Sequence, residues 1–146
     1  MDTETLDGFF SLWRHLIPSE GVSLTAGSTL RLLRRWGPLR LTALAEREAV
    51  SQPAMTGLVS RLQAAGLVVR QPDPSDGRAV LLELTATGEA LVEDRRVRRA
   101  AALEYLLGVL DPSERVRFDA AIPVLAHLID HFNTDDHRAQ PLKESR

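Results

Sequence analysis

The stretch Ser51-Gln52-Pro53-Ala54-Met55-Thr56-Gly57-Leu58-Val59-Ser60-Arg61-Leu62 is followed by Gln63-Ala64-Ala65-Gly66 and Leu67-Val68-Val69-Arg70, and then by the turn sequence Asp73-Pro74-Ser75-Asp76-Gly77-Arg78. It reads as a helix, a strand and a tight hairpin carrying arginine. Met55, Leu58, Val59, Leu62 and Ala65 recur at helical spacing and form one apolar stripe. The opposite face carries Gln52, Pro53, Thr56, Gly57, Ser60 and Ala64, with Arg61 at its edge. These residues are small or hydrogen-bonding and none is acidic, which suits a helix lying against bases and phosphates. Ser51 is a good N-cap, Pro53 is tolerated in the first turn, and Gly66 is a natural stop. Gly57 costs about 1 kcal/mol against Ala at a mid-helix position. Close approach of the backbone to DNA and drift at an exposed site explain it equally well.

The hairpin strands are expected at Leu67–Gln71 and Ala79–Leu84, with Val80, Leu82 and Leu84 on one face and turn chemistry from Asp73-Pro74 and Asp76-Gly77. Upstream, Thr42 is placed to cap a short helix from Ala43 to about Glu48 that runs through Ala49-Val50 into Ser51, making a helix-turn-helix. Leu39-Arg40-Leu41 can form a very short strand. Before it, Thr25 is expected to cap a helix with Leu30 and Leu33 inward, ended by Gly37-Pro38.

The flanks are long amphipathic helices. Leu6, Phe9, Phe10, Trp13, Leu16 and Ile17 form one stripe, with Thr3 as cap and Pro18 as stop. Thr85 caps a long helix bearing Leu91, Val92, Val97, Leu103, Leu106, Leu107 and Leu110, with Arg95, Arg96, Arg98 and Arg99 in its middle. Asp111-Pro112-Ser113-Glu114 opens a last helix to about Phe132, with the stripe Phe118, Ile122, Leu125, Ile129 and Phe132 and an internal Pro123 expected to kink it. The tail after Asn133 is polar. Two such apolar stripes at the ends of a small chain are expected to bury each other across a two-fold axis.

Composition bounds the function. A chain of 146 residues with 44% apolar and 26% charged residues is most simply one globular domain. It has no apolar run of membrane-spanning length and no signal-peptide pattern, and it contains no cysteine, which excludes disulfides and Cys-based zinc sites and suits a cytoplasmic protein. From Arg31 to Arg78 eight arginines face four acids, a local charge of +4, so the rest carries −6 of the net −2. Basic character is thus focused on the stretch that resembles a DNA reader. No nucleophile–base pair, phosphate-binding loop or convincing carboxylate pair is present, so an enzyme is not expected, nor is a cofactor.

At this point the chain resembles the MarR family of winged helix-turn-helix transcriptional regulators. The resemblance rests on Leu41-Thr42-Ala43-Leu44-Ala45-Glu46-Arg47, Val50-Ser51-Gln52-Pro53-Ala54-Met55-Thr56, Leu58-Val59 through Leu62, Ala65-Gly66-Leu67-Val68, the wing Asp73 to Ala79, and Leu84-Thr85. It implies a mainly α fold with a small β-hairpin wing, in a single MarR-type domain over residues 1–146. Residues 24–92 would be the DNA-binding lobe, 1–20 and 93–132 the dimerisation helices, and 133–146 a polar tail. It implies a homodimer on a palindromic operator, acting as a repressor and released by a small aromatic or phenolic ligand. Gln52, Pro53, Thr56, Gly57 and Ser60 would face the major groove and Arg78 would be the wing arginine. Arg40, Ser51, Arg61 and Arg70 complete the candidate DNA-contacting set. Two positions depart from the pattern. Ala49 stands where the turn often has Gly, so that turn must avoid positive φ or take strain, and Gly57 stands where Arg is frequent.

Other readings stay open on the residues alone. Phe9, Phe10, Trp13 and Arg14 could wall an apolar effector pocket whose arginine pairs with a carboxylate, or could be core or dimer packing. His127 and His131, with Asp130 and His137 nearby, have a spacing that can hold Zn²⁺ in a metal-responsive regulator; interaction with the helix carboxyl end explains them as well. A winged helix used only for protein contacts would be separated from a DNA reader by a salt-titrated gel shift.

Overall fold

The computed structural model describes residues 2–16 and 21–134, without the side chains of Trp13, His15, Leu16 and residues 132–134. The expectations for Ile17 and Pro18, for the Trp13, Leu16 and Phe132 side chains, for His137 and for the tail beyond residue 134 lie outside the described residues. The element order is α1 (Thr3–Leu16), α2 (Leu24–Trp36), β1 (Leu39–Arg40), α3 (Leu41–Arg47), α4 (Gln52–Ala64), β2 (Val68–Asp73), β3 (Asp76–Leu84), α5 (Ala86–Leu107) and α6 (Pro112–Thr134). The sheet is antiparallel in the order β1-β3-β2, with Leu39 opposite Leu82 and Val68 opposite Leu84. This is the mainly α winged helix-turn-helix expected of the chain.

Capping chemistry sets most helix ends. Ser51 Oγ accepts from the Ala54 N–H (3.4 Å) and Thr85 Oγ1 from the Gly88 N–H (3.0 Å). Asp111 accepts from the Glu114 N–H (2.9 Å), while Glu114 accepts from the Asp111 N–H (3.0 Å), a reciprocal capping box. Gly66, at φ 69°, stops α4 with its N–H on the Gln63 carbonyl, followed by that of Leu67 on the Leu62 carbonyl. Three expected caps fall elsewhere. Asp2, not Thr3, accepts the Glu4 N–H (3.1 Å), and Ser23, not Thr25, accepts the Ala26 N–H (3.1 Å). α3 starts at Leu41 directly from β1, so Thr42 lies inside it and Arg40 is an N-cap without a side-chain cap bond. At α1 and α2 a second polar residue stood one or two positions before the expected cap, and only the helix register decides between them.

One core joins the central elements. Leu30, Leu44 and Met55 are fully buried, with Val59, Leu62, Val68, Leu82 and Val92 around them. Met55, Leu58, Val59 and Leu62 are the buried face of α4, as their spacing requires, whereas Ala65 is the exposed C-cap. β3 buries Leu82 and half-buries Leu84, but Val80 is 44% exposed because the hairpin has by then projected past the core. Gly88 allows the start of α5 to sit on the turn after α4: a Cβ there would lie 2.1 Å from the Leu67 carbonyl oxygen. Pro123 lies inside α6 without ending it.

α1 and α6 are different. Leu6, Phe9, Phe10 and Leu12 of α1 are exposed, as are Ile122, Val124, Leu125, Leu128 and Ile129 of α6. No described helix is long and apolar enough to cross a membrane.

Candidate nucleic-acid interface

The outward face of α4 presents Gln52, Pro53, Thr56, Ser60 and Arg61 to solvent, with Gly57 half-buried and Ser51 exposed at the N-cap. Its hydroxyls are parked on the helix's own backbone: Thr56 Oγ1 donates to the Gln52 carbonyl (2.9 Å) and Ser60 Oγ to that of Thr56 (3.0 Å). Such bonds leave the hydroxyl lone pairs facing outward and can be exchanged for a base edge or phosphate without stranding a buried group. A Cβ at Gly57 would meet only the Arg61 guanidinium, at 3.7 Å, so nothing inside the molecule requires glycine there.

α3 and α4 are joined by a strained turn. Ala49 adopts φ 52°, a left-handed conformation that costs an L-residue about 1–2 kcal/mol. Of the two options open to the motif, the turn takes the strain. The Val50 N–H reaches back to the Ala45 carbonyl (3.0 Å), so the chain reverses tightly and α4 starts at a fixed angle.

The wing is longer and less basic at its tip than expected. The strands run to Asp73 and from Asp76, which face each other, leaving Pro74-Ser75 as a two-residue loop. The turn is made by Asp73, whose carboxylate accepts from Ser75 N–H (2.8 Å) and Oγ–H (2.6 Å). Asp76 and Gly77 are therefore strand residues, and Arg78 projects from the strand behind the tip.

The four arginines around this hairpin have different occupations. Arg40 donates from Nε (2.8 Å) and Nη2 (2.6 Å) to Asp73 Oδ2, and Nη2 is 3.7 Å from Asp76 Oδ2. The bonds from Ser75, then that from Arg40, hold the Asp73 carboxyl at about 2, below the ordinary 3.8. The same contact raises Arg40. Arg40 therefore ties the start of α3 to the wing. Arg70 donates to Gln63 Oε1 (2.9 Å) and so leans the wing on the end of α4. Asp76 accepts the Arg78 backbone N–H (3.1 Å). Among the described residues the Arg78 and Arg61 side chains make no hydrogen bond or ion pair, and both are exposed. Asp73 thus braces Arg40, and Arg78 is left available.

The candidate effector residues are less gathered. Phe9 and Phe10 meet edge to face, 6.2 Å between centroids, both exposed, and Arg14 is exposed. Among the described side chains, Phe9, Phe10 and Arg14 do not line the cleft of about 860 Å³ that lies between α2, α5 and α6, walled by Leu32, Val92 and Ile129 and rimmed by arginines; the Trp13 side chain lies outside the described residues. His127 and His131 stack 6.5 Å apart, and Asp130 lies 3.6 Å from Arg35.

Comparison with known proteins bears directly on this geometry. Residues 22–80 match the MarR family profile. An HTH-type transcriptional regulator of Mycobacterium bovis is 38% identical over 113 residues, spanning 77% of this chain and 79% of that one. The chain belongs to the MarR family. The HTH-type transcriptional repressor NicR of Pseudomonas putida is 38% identical over 102 residues, 70% of this chain and 63% of that one. Among solved structures, Bordetella bronchiseptica BpsR, whose DNA binding is regulated by 6-hydroxynicotinic acid, superposes with a TM-score of 0.62 at 26% identity, covering 92% of this chain and 91% of that one. As a MarR protein the chain is a DNA-binding transcriptional regulator; such regulators act as dimers, are not enzymes, and some bind small aromatic ligands.

Sequence reasoning missed two contacts that shape this head and the burial of one further side chain. Gly88 and the Arg40–Asp73 brace join residues far apart in the chain, and no local pattern marks them. Arg95 sat in a run of four arginines on one helix, where nothing distinguished it from its neighbours.

Proposed function

We propose that this MarR protein is a homodimeric, cytoplasmic repressor of a palindromic operator, released by a small aromatic or phenolic acid. α4 lies in the major groove, with Ser51, Gln52, Pro53, Thr56, Gly57 and Ser60 toward the bases and Arg61 and Arg70 toward phosphates. The wing places Arg78 in the adjacent minor groove, and Arg40 contributes by holding the wing. Residues 24–92 form the reading head, and the apolar faces within 1–20 and 93–132 pair the two subunits. The repressor assignment draws on NicR and the aromatic-acid release on BpsR.

The observation that carries this reading is the combination of an exposed, acid-free α4 face with an arginine left unpaired on a braced wing. Arg78 has five donors and a permanent charge, which suits a narrow, electronegative groove. Arg78→Ala should fold and dimerise normally but bind operator DNA more weakly, by about 1–3 kcal/mol per half-site. Its salt dependence should be shallower by roughly one phosphate equivalent per wing. Thr56→Ala should instead change the preferred bases at nearly constant salt slope. Gel shifts over a salt series decide it: unchanged affinity and slope for Arg78→Ala would overturn the wing assignment.

A further inference from the structure

Gly27 and Gly57 each lie under an arginine guanidinium. A Cβ at Gly27 would lie 3.4 Å from Arg95 Nη2, and one at Gly57 would lie 3.7 Å from Arg61 Nη1. The first pair is enclosed between α2 and α5, where Arg95 is only 6% exposed and its Nη1 is buried with no hydrogen-bond partner. The second pair is on the outward face of α4. Gly57 is half-buried there although Thr56 and Ser60 on the same face are exposed, and the side-chain atom closest to it belongs to Arg61.

Helix geometry explains where that guanidinium sits. Residues four apart are stacked along a helix and offset by about 40° around it. Side chains lean toward the helix N-terminus, so a long one covers the turn before its own. Arg61 is rooted at the edge of the α4 face, and Gly57 lies nearer its middle. With no side chain at position 57, the Arg61 stem lies back across that turn and carries its charge inward. A methyl group at 57 would make only ordinary contact, so what the slot requires is a short side chain.

Among the described residues no acceptor holds the fork. Arg61 is the one charged residue of α4, and Gly57, Leu58, Ala64 and Ala65, each one turn away, carry no side-chain acceptor. The hydroxyls of Thr56 and Ser60 donate to the backbone carbonyls of Gln52 and Thr56. Arg40 and Arg70 are occupied by Asp73 and Gln63.

We infer that Arg61 reads a guanine in the major groove, donating to its O6 and N7, and that Gly57 determines this specificity by leaving the slot in which the guanidinium lies. This rests on the placement of α4 in the major groove above, and it moves Arg61 from the phosphates at the groove edge to the base edges at its middle. The planar fork matches the pair of acceptors by which guanine is told from the other bases in that groove.

The test uses the full chain on duplexes that it selects from a random pool. The selected sequences should share a guanine in each half-site. Arg61→Ala and Arg61→Lys should fold as the natural chain does and lose the preference at that position alone, binding the guanine duplex about tenfold to a hundredfold more weakly. Arg61→Lys keeps the charge, so its salt slope should match that of the natural chain. Replacing the guanine by 7-deazaguanine, which lacks the N7 acceptor, should cost the natural chain about tenfold and Arg61→Ala nothing. Gly57→Met fills the slot; it should lose the same preference, and adding it to Arg61→Ala should cost little more. Uniform weakening of all duplexes by Arg61→Ala, with a shallower salt slope, would leave Arg61 at the phosphates and overturn the inference. So would a guanine preference that survives Gly57→Met, or an equal response of the natural chain and Arg61→Ala to 7-deazaguanine. Failure of the natural chain to bind any duplex would remove the DNA reading and the inference with it, whereas binding that ignores the guanine overturns the inference alone.

Discussion

Leu30 on α2 and Leu128 on α6 are the same side chain on helices with similar apolar spacing, yet the first is fully buried and the second is 58% exposed. The contrast extends to their surroundings. In the reading head, α2, α3, α4 and the sheet enclose Leu44, Met55 and Val59 completely, so its core closes within one chain. On α1 and α6 the aromatic and aliphatic stripes lie open. An exposed apolar face of that extent marks a surface that is covered in the working assembly. Periodicity identifies a face that must be buried; it does not say whether the covering surface belongs to the same molecule.

The strongest way to break this comparison is to remove one arm. Deleting residues 1–17 should cause aggregation or loss of folding, read by light scattering and circular dichroism, because the α6 face would lose its cover. A soluble, well-folded monomer would show that the arms are not needed to bury each other. Within the head, Asp73 offers a pH-resolved test. Its folded pKa of about 2 lies below the ordinary 3.8, so its contribution is fully present above about pH 4 and is lost as pH falls toward 2. Acid unfolding of the natural chain and Asp73→Asn should therefore converge over that window, and a constant difference would mean that the brace does not depend on the charge.

Smaller effects sharpen the contrast between a head built to fold and a head built to read. Ala49→Gly should relieve the left-handed strain and stabilise by about 1 kcal/mol, independent of protein concentration as a change in the head requires. Denaturant midpoints at two protein concentrations check both points. Gly57→Ala should also stabilise, by about 1 kcal/mol or less, since no neighbour resists a methyl group there. If α4 approaches DNA closely at that position, the same substitution should weaken operator binding. Stabilisation with unchanged binding would make Gly57 mere drift.

What the sequence by itself determined lies within about four residues along the chain. The α4 stripe, the Ser51 and Thr85 caps, the Gly66 stop and the capping box at Asp111 all depend on hydrogen bonds and side-chain spacing over one helical turn. The ordered motifs from Leu41 to Thr85 placed the family for the same reason. Where two cap residues stood within one turn of each other, as at Ser23 and Thr25, local chemistry allowed both, and the register of Ala26 and Leu30 against the core chose. Tertiary structure alone decided the rest. Arg40 could be assigned to the wing only once β1 had brought it to Asp73, 33 residues away in sequence. Gly88 acquired its importance from the Leu67 carbonyl pressed against it. Arg95 resembled Arg96 and Arg98 until packing against Gly27 removed it from water without supplying an acid. Burial and charge pairing are properties of what surrounds a side chain, and those surroundings are set by contacts between distant segments.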